Sequence, residues 1–257
     1  MSDFKKIRVA LTHDQQILTI TLNDPKANVL DKQMMTEIIR ILSNEGTNPF
    51  VKAIVFTGEG EHFSFGASVH EHRKEAVADM LRIFHKMLRI LIKTGKPMFA
   101  LVRGQCLGGG LELASFCHWI FASPNAMFGQ PEINLAVFPP VASLILPHRV
   151  GQTHADDLIL SGRSITATEA REIGLVHAIS DDPESQLNEF ISKFILPKSR
   201  TALEFTANTA RFEMYQAFLK NIDAVEARYV QELMETEDAN EGITAFLEKR
   251  KPVWQNG

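Results

Sequence analysis

Two glutamates and two small-residue turns carry the chemistry this sequence offers. The stretch "GQCLGGGLEL", residues 104–113, sets three consecutive glycines before an apolar run whose single charge is Glu112. A second, "FTGEGEHFSFGASVHEH", residues 56–72, leaves an apolar run and reaches the turn Gly66-Ala67. A third, "FGQPEINLAVFPP", places Glu132 directly after a proline in an otherwise apolar loop. Small-residue turns that open helices leave backbone N–H groups without intrahelical partners, and such groups attract negative charge. A phosphate is one candidate, yet neither GxxxxGK followed by Ser or Thr nor GxGxxG is satisfied, because "LEL" follows the last glycine. An oxyanion is the other: an enolate or tetrahedral oxygen held by N–H donors whose close approach needs residues without a Cβ. A tight turn packing a helix on a strand would also account for the glycines. Two such turns could each offer one N–H to a shared oxygen. Read alone, Glu112 is a first-turn carboxylate favoured by the helix dipole and Glu132 a loop residue.

The elements that must position these residues follow from periodicity. "IRVALT" and "QILTITLN", separated by the polar "HDQQ", predict an antiparallel hairpin. "DKQMMTEIIRILSN" has helical spacing at Met34, Ile38, Ile39 and Leu42, opened by Asp31 as N-cap. "VKAIVFTG" and "PMFALVRG" are continuously apolar strands of the buried kind, and the second runs straight into the glycines, with a helix beginning near Gly109 or Gly110. Between them, "ADMLRIFHKMLRILIKTG" predicts an amphipathic helix ended by Gly95 and Pro97. "HWIFASPNAMFG" predicts a further strand and turn. Strands alternating with helices imply an α/β fold with crossover connections. The alternation stops near residue 190, and from about Lys198 the chain is helical and charge-rich.

The 257 residues, 45% apolar, can bury a full core and fit one large domain or a domain with an appendage. The net charge of −4 comes without blocks of like charge, which argues against nucleic acid and membrane surfaces and favours a small-molecule partner. The start "MSDFKKIRV" lacks a signal-peptide apolar region, so a cytoplasmic protein is expected. Cys106 and Cys117 are expected reduced and buried. No CxxC or HExxH is present, and His70 and His72, two apart, do not share a helix face, so no metal site is expected. They are either residues near a pocket mouth or solvated helix-start residues. No GxSxG elbow surrounds Ser64, Ser68 or Ser143.

From "LTITLNDPKANVLD" through "FSFGAS", "RGQCLGGGLEL" and "GQPEINLAVFPP" to "EGITAFLEKRK", the chain resembles the crotonase (enoyl-CoA hydratase/isomerase) superfamily over essentially its whole length. The resemblance implies a crotonase-like spiral of ββα units with a C-terminal helical trimerisation region: residues 1–195 as the acyl-CoA-binding and catalytic core, 196–257 for oligomerisation. It implies an acyl-CoA thioester oxygen bound by the N–H groups of Ala67 and Gly109, and Glu112 and Glu132 as the catalytic pair of a hydratase. Glu112 then lies about one helical turn past the oxyanion glycine, on the same face. Hydration of a conjugated thioester needs one carboxylate to take a proton from water and one carboxylic acid to deliver a proton to carbon. Coenzyme A enters as part of the substrate, with no other cofactor. By family position Lys26 and the backbone at Phe65, Ala67 and Val69 contact it, while Phe246 and Lys249 come from the C-terminal helices of a neighbouring subunit in a trimer or dimer of trimers.

The chain departs from the family at Ser68, usually Asp, and at Ala136–Ser143, where "AVFPPVAS" replaces "G-L-x-P-G-x-G-G". Losing three glycines stiffens the loop covering the acyl pocket. With "FSFGASVHEH", this makes the chain most similar to the alicyclic dienoyl-CoA hydratases of anaerobic aromatic degradation, which convert cyclohexa-1,5-diene-1-carbonyl-CoA to 6-hydroxycyclohex-1-ene-1-carbonyl-CoA. Phe65, Val137 and Phe138 are candidate ring walls. The competing expectations are a general short-chain enoyl-CoA hydratase or isomerase and, in another class, a non-catalytic acyl-CoA or RNA-binding scaffold.

Overall fold

The hairpin opens a mixed sheet. In the computed structural model, which describes residues 4–24 and 27–257, β1 (Ile7–Thr12) pairs antiparallel with β2 (Ile17–Leu22), Ile7 opposite Leu22. Parallel strands β3 (Ala53–Gly58) and β4 (Met98–Val102) follow, joined by crossover helices as the alternation requires. Helix α1 (Lys32–Asn44) is capped by Asp31, which accepts the Met34 N–H at 2.8 Å. Helix α2 (Val77–Thr94) buries Met80, Leu81, Phe84, Met87, Leu88 and Leu91, one stripe at helical spacing, and stops at Gly95 in the left-handed region, φ 68°. Each of those side chains adds roughly 1.5–3 kcal/mol on burial.

Beyond β4 the strands are shared between two sheets. The three-residue strand β5 (Gln105–Leu107) intervenes before α3 (Gly109–Phe116), so β4 does not run straight into the glycines as expected. Then come β6 (Trp119–Ala122), β7 (Met127–Gly129), α4 (Pro140–Val150), α5 (Gln152–Ser161), β8 (Ser164–Thr166), α6 (Ala167–Glu172), β9 (Ala178–Ile179) and α7 (Pro183–Phe190). The large sheet has the order β1-β2-β3-β4-β6-β9 and the small one β5-β7-β8. From β4 onward the chain thus gives β6 and β9 to the large sheet and β5, β7 and β8 to the small one with helices between them, the two-sheet core of the expected spiral.

Helices α8 (Arg200–Ala210), α9 (Phe212–Gln231) and α10 (Glu237–Leu247) complete the chain, and it carries no strand after β9 among the described residues. Helix α9 folds back onto α4 and α2, and its Tyr215, Phe218 and Ile222 join the main core with α1, α2 and α3. A second apolar cluster, Phe99, Phe121, Leu187 and Ile191, seals the opposite face of the large sheet beneath α7. Cys106 and Cys117 are buried and unbonded.

Candidate active site

The two small-residue turns meet edge to edge. Ser64 fixes the first by donating to the Asn28 carbonyl at 2.7 Å and accepting the Gly66 N–H at 3.0 Å. The Ser64 carbonyl accepts the Leu107 N–H at 3.0 Å, tying that turn to β5. Gly66 has φ 99°, and a Cβ there would lie 2.9 Å from the Leu107 carbonyl oxygen, so both conformation and space demand glycine. Ala67 N–H and Gly109 N–H are neighbours: a Cβ on Gly109 would sit 3.2 Å from the Ala67 nitrogen. Neither N–H donates to any acceptor among the described residues. Two such N–H groups side by side can hold an oxyanion, in a space that a side chain would fill.

The remaining glycines have separate reasons. Gly108, at φ 48°, would carry a Cβ 2.7 Å from Glu132 Oε1, so its bare backbone admits the second carboxylate. A Cβ on Gly110 would lie 2.8 Å from the Ser64 Cβ, where α3 packs on the first turn. Gly108 and Gly109 line one cavity of about 560 Å³ together with Ala67, Glu112 and Glu132.

Glu112 stands in the first turn of α3 and is 4% exposed. Its Oε1 accepts the Val141 N–H at 2.9 Å and the Ala142 N–H at 2.7 Å. These belong to the first turn of α4, whose N-cap and first residue are Pro139 and Pro140. Burial pushes the Glu112 carboxyl up to about 7, against the pull of the two N–H donors. Glu132 lies in the 3₁₀ turn Pro131–Leu135. Burial, then the charge of Glu112, push its carboxyl well above the usual range. Fully buried Gln130, with its amide nitrogen turned to Glu132, donates to Oε1 and Oε2 at 3.1 and 3.0 Å. Two carboxyls and two free N–H groups therefore face one space, enough for proton transfer beside a stabilised oxyanion.

Phe65, Val69, Val137 and Phe138 also line the cavity, as does Phe246, which reaches it from α10 of the same chain. The cause is close packing: Gly242 of α10 lies directly on the Leu135 backbone, where no Cβ fits, so α10 covers the turn that carries Glu132. Lys249 is exposed just past α10 and does not line the cavity. Lys26 lies outside the described residues. His70 and His72 do border the cavity, from the 3₁₀ turn Val69–His72. His72 Nδ1–H donates to the Ser68 carbonyl at 2.8 Å, and burial lowers its basicity, so it is neutral at pH 7. Among the described residues no group of three His, Cys, Asp or Glu side chains is arranged to hold a metal ion.

The donors at Val141 and Ala142 were not foreseen from the sequence, although Pro139-Pro140 is a helix-start signal; "VFPPVAS" reads first as loop. Gln130 gives no signal beyond its place two residues before Glu132.

The sequence pattern of the family described as enoyl-CoA hydratase/isomerase matches residues 12–257. The cyclohexa-1,5-dienecarbonyl-CoA hydratase of Thauera aromatica is 42% identical over 97% of each chain. A probable enoyl-CoA hydratase of Bacillus subtilis is 34% identical over 96% of this chain and 98% of its own. The crystal structure of an enoyl-CoA hydratase from Mycobacterium avium subsp. paratuberculosis superimposes with a TM-score of 0.84, at 26% identity, over 98% of this chain and 100% of its own.

Proposed function

Because the chain belongs to the enoyl-CoA hydratase/isomerase family, we propose that it is a hydro-lyase adding water to a conjugated acyl-CoA thioester, with cyclohexa-1,5-diene-1-carbonyl-CoA as substrate. The observation that carries this reading is the pair Glu112 and Glu132 on one cavity with the unpaired N–H groups of Ala67 and Gly109.

The roles of the two glutamates follow from their surroundings. Glu112 accepts two N–H bonds at the start of α4, which favour its ionised form, while Glu132 is raised further by the charge of Glu112. A single proton on the pair therefore resides on Glu132, making Glu112 the base and Glu132 the acid. The water oxygen bonds to the β ring carbon and its proton passes to Glu112. The displaced π pair moves onto the thioester oxygen, where Ala67 and Gly109 hold the dienolate. The dienolate then takes the Glu132 proton at the far end of the diene, leaving one double bond conjugated with the carbonyl: 6-hydroxycyclohex-1-ene-1-carbonyl-CoA. An amide has a donor and an acceptor end, so Gln130 can serve Glu132 in both protonation states.

A cyclic, uncharged acyl group is supported by the 42% identical relative and by the lining of Phe65, Val137 and Phe138, with no Lys or Arg on the cavity among the described residues. The backbone of Phe65 to Val69 and the ring of Phe246 then take the pantetheine and acyl parts, Lys249 lying out toward the nucleotide. No cofactor beyond the coenzyme A of the substrate enters. The same reading has residues 196–257 serving assembly of a cytoplasmic trimer or dimer of trimers; exposed Phe205 and Phe212 supply apolar surface for it. No described helix is long and apolar enough to cross a membrane. A second reading, a general short-chain enoyl-CoA hydratase, is favoured by the Bacillus subtilis relative. Hydration rates for cyclohexa-1,5-diene-1-carbonyl-CoA and crotonyl-CoA decide between them. A kcat/KM higher for the cyclic diene supports the first reading, and a higher value for crotonyl-CoA replaces it with the second.

A further inference from the structure

Helix α9 brings one hydroxyl behind the acyl-facing wall. Tyr229, in its last turn, is 1% exposed. Its ring stands edge-on to Phe138, centroids 5.2 Å apart and planes at 64°. Phe138 lines the cavity with both glutamates, and the prolines that follow it open α4, whose N–H groups hold Glu112. The Tyr229 hydroxyl is buried without a hydrogen-bond partner among the described residues. Buried tyrosine hydroxyls ordinarily find one, and phenylalanine would fill the space without an unpaired polar atom. Other unpartnered groups, such as His118 Nε2 and Arg149 Nε, border a different cavity.

Burial first, then the charges of Glu132 and Glu112, raise the ionisation of the Tyr229 hydroxyl well above the ordinary tyrosine value, so it remains an O–H donor at every working pH. The other titratable groups of the elements packed around it have charged partners of their own. His85 of α2 pairs through Nδ1 with Glu226 at 2.6 Å, its Nε2 staying buried without a partner among the described residues, Arg228 pairs with Glu232 at 3.6 Å, and Glu235 with Lys74 at 2.7 Å. Helix α4 carries no charge before His148.

We propose that Tyr229 is a positioning residue of the acid/base pair, its O–H dipole turning toward whichever glutamate is ionised and steadying the negative charge as the proton moves. This rests on the hydratase reading of Glu112 and Glu132. A donor aimed at a carboxylate favours its ionised form, so removing it raises the pH at which the pair titrates.

The test is hydration kcat and KM across pH for Tyr229→Phe, beside Glu112→Gln and Glu132→Gln. The expected result is a kcat about fivefold lower, an unchanged KM, both limbs of the pH profile moved up by about half a unit, and an undiminished Tm. Wild-type kcat with unmoved limbs overturns the inference. So does a lower kcat with unmoved limbs and a lower Tm, which marks a packing role. Fluorotyrosine at position 229, a stronger donor of nearly the same shape, is expected to move the limbs down; unmoved limbs there also overturn it, whatever the folding of the phenylalanine variant. Activity surviving in both glutamine variants removes the acid/base reading itself, and the Tyr229 inference with it; their loss beside a wild-type Tyr229→Phe removes the Tyr229 inference alone.

Discussion

Glu112 meets two opposing demands, because burial disfavours its charge while the start of α4 favours it. The outcome, a carboxyl near 7, sets a pH dependence of activity: in the proposed role of base it must be ionised, so kcat/KM is expected to fall tenfold per unit as pH drops below about 7. The effect on stability has the opposite sense. Between 4.5, the ordinary value, and about 7 the folded chain keeps a proton that the unfolded chain has released, so stability declines as pH rises through that window. Glu112→Gln keeps an oxygen for the Val141 and Ala142 N–H groups and removes the charge. It is expected to be more stable than wild type at pH 8, by about 3 kcal/mol, with most of that gain gone at pH 5. Thermal melts at the two pH values check this.

Elements decide where these residues stand, and short elements were the hardest to read. Long periodic segments such as α2, with its buried stripe from Met80 to Leu91, were legible because tertiary packing and periodicity agree there. The three-residue β5 was not, since strands that short leave no alternation to detect, yet it aligns Gly108 and Gly109 against Gly66. The proposed roles of the two glutamates and of the Ala67 and Gly109 N–H groups are legible only through the resemblance; composition and spacing leave phosphate, oxyanion and bare turn open. Gly108→Ala tests the element directly: at φ 48° with a Cβ 2.7 Å from Glu132 Oε1, the substitution is expected to displace Glu132 and lower kcat about a hundredfold. Ala136 offers the converse case, a non-glycine residue at φ 53° just before the Val137-Phe138 wall. Ala136→Gly is expected to relieve strain of about 1 kcal/mol, read as a raised Tm. The offsetting flexibility should appear as weaker discrimination between cyclic and linear acyl groups.

At the scale of the whole chain, the last helices close the site that the first 150 residues build. Helix α10 covers the turn bearing Glu132 and delivers Phe246, 54% exposed, to the cavity. Phe246→Ala removes a contact that ground state and transition state share, so KM for the acyl-CoA is expected to rise about tenfold while kcat stays. Steady-state kinetics of the variant separate the two. A fall in kcat instead would mean that α10 holds Glu132 in place and not only the substrate.

The central claim is that Glu112 and Glu132 together add water to a conjugated acyl-CoA. Its most direct measurement is the initial rate at which the ultraviolet absorbance of the conjugated thioester disappears, for wild type, Glu112→Gln and Glu132→Gln at saturating cyclohexa-1,5-diene-1-carbonyl-CoA. A loss of about a hundredfold or more in each variant, with acyl-CoA binding retained, is predicted. A wild-type rate in either one would contradict the claim.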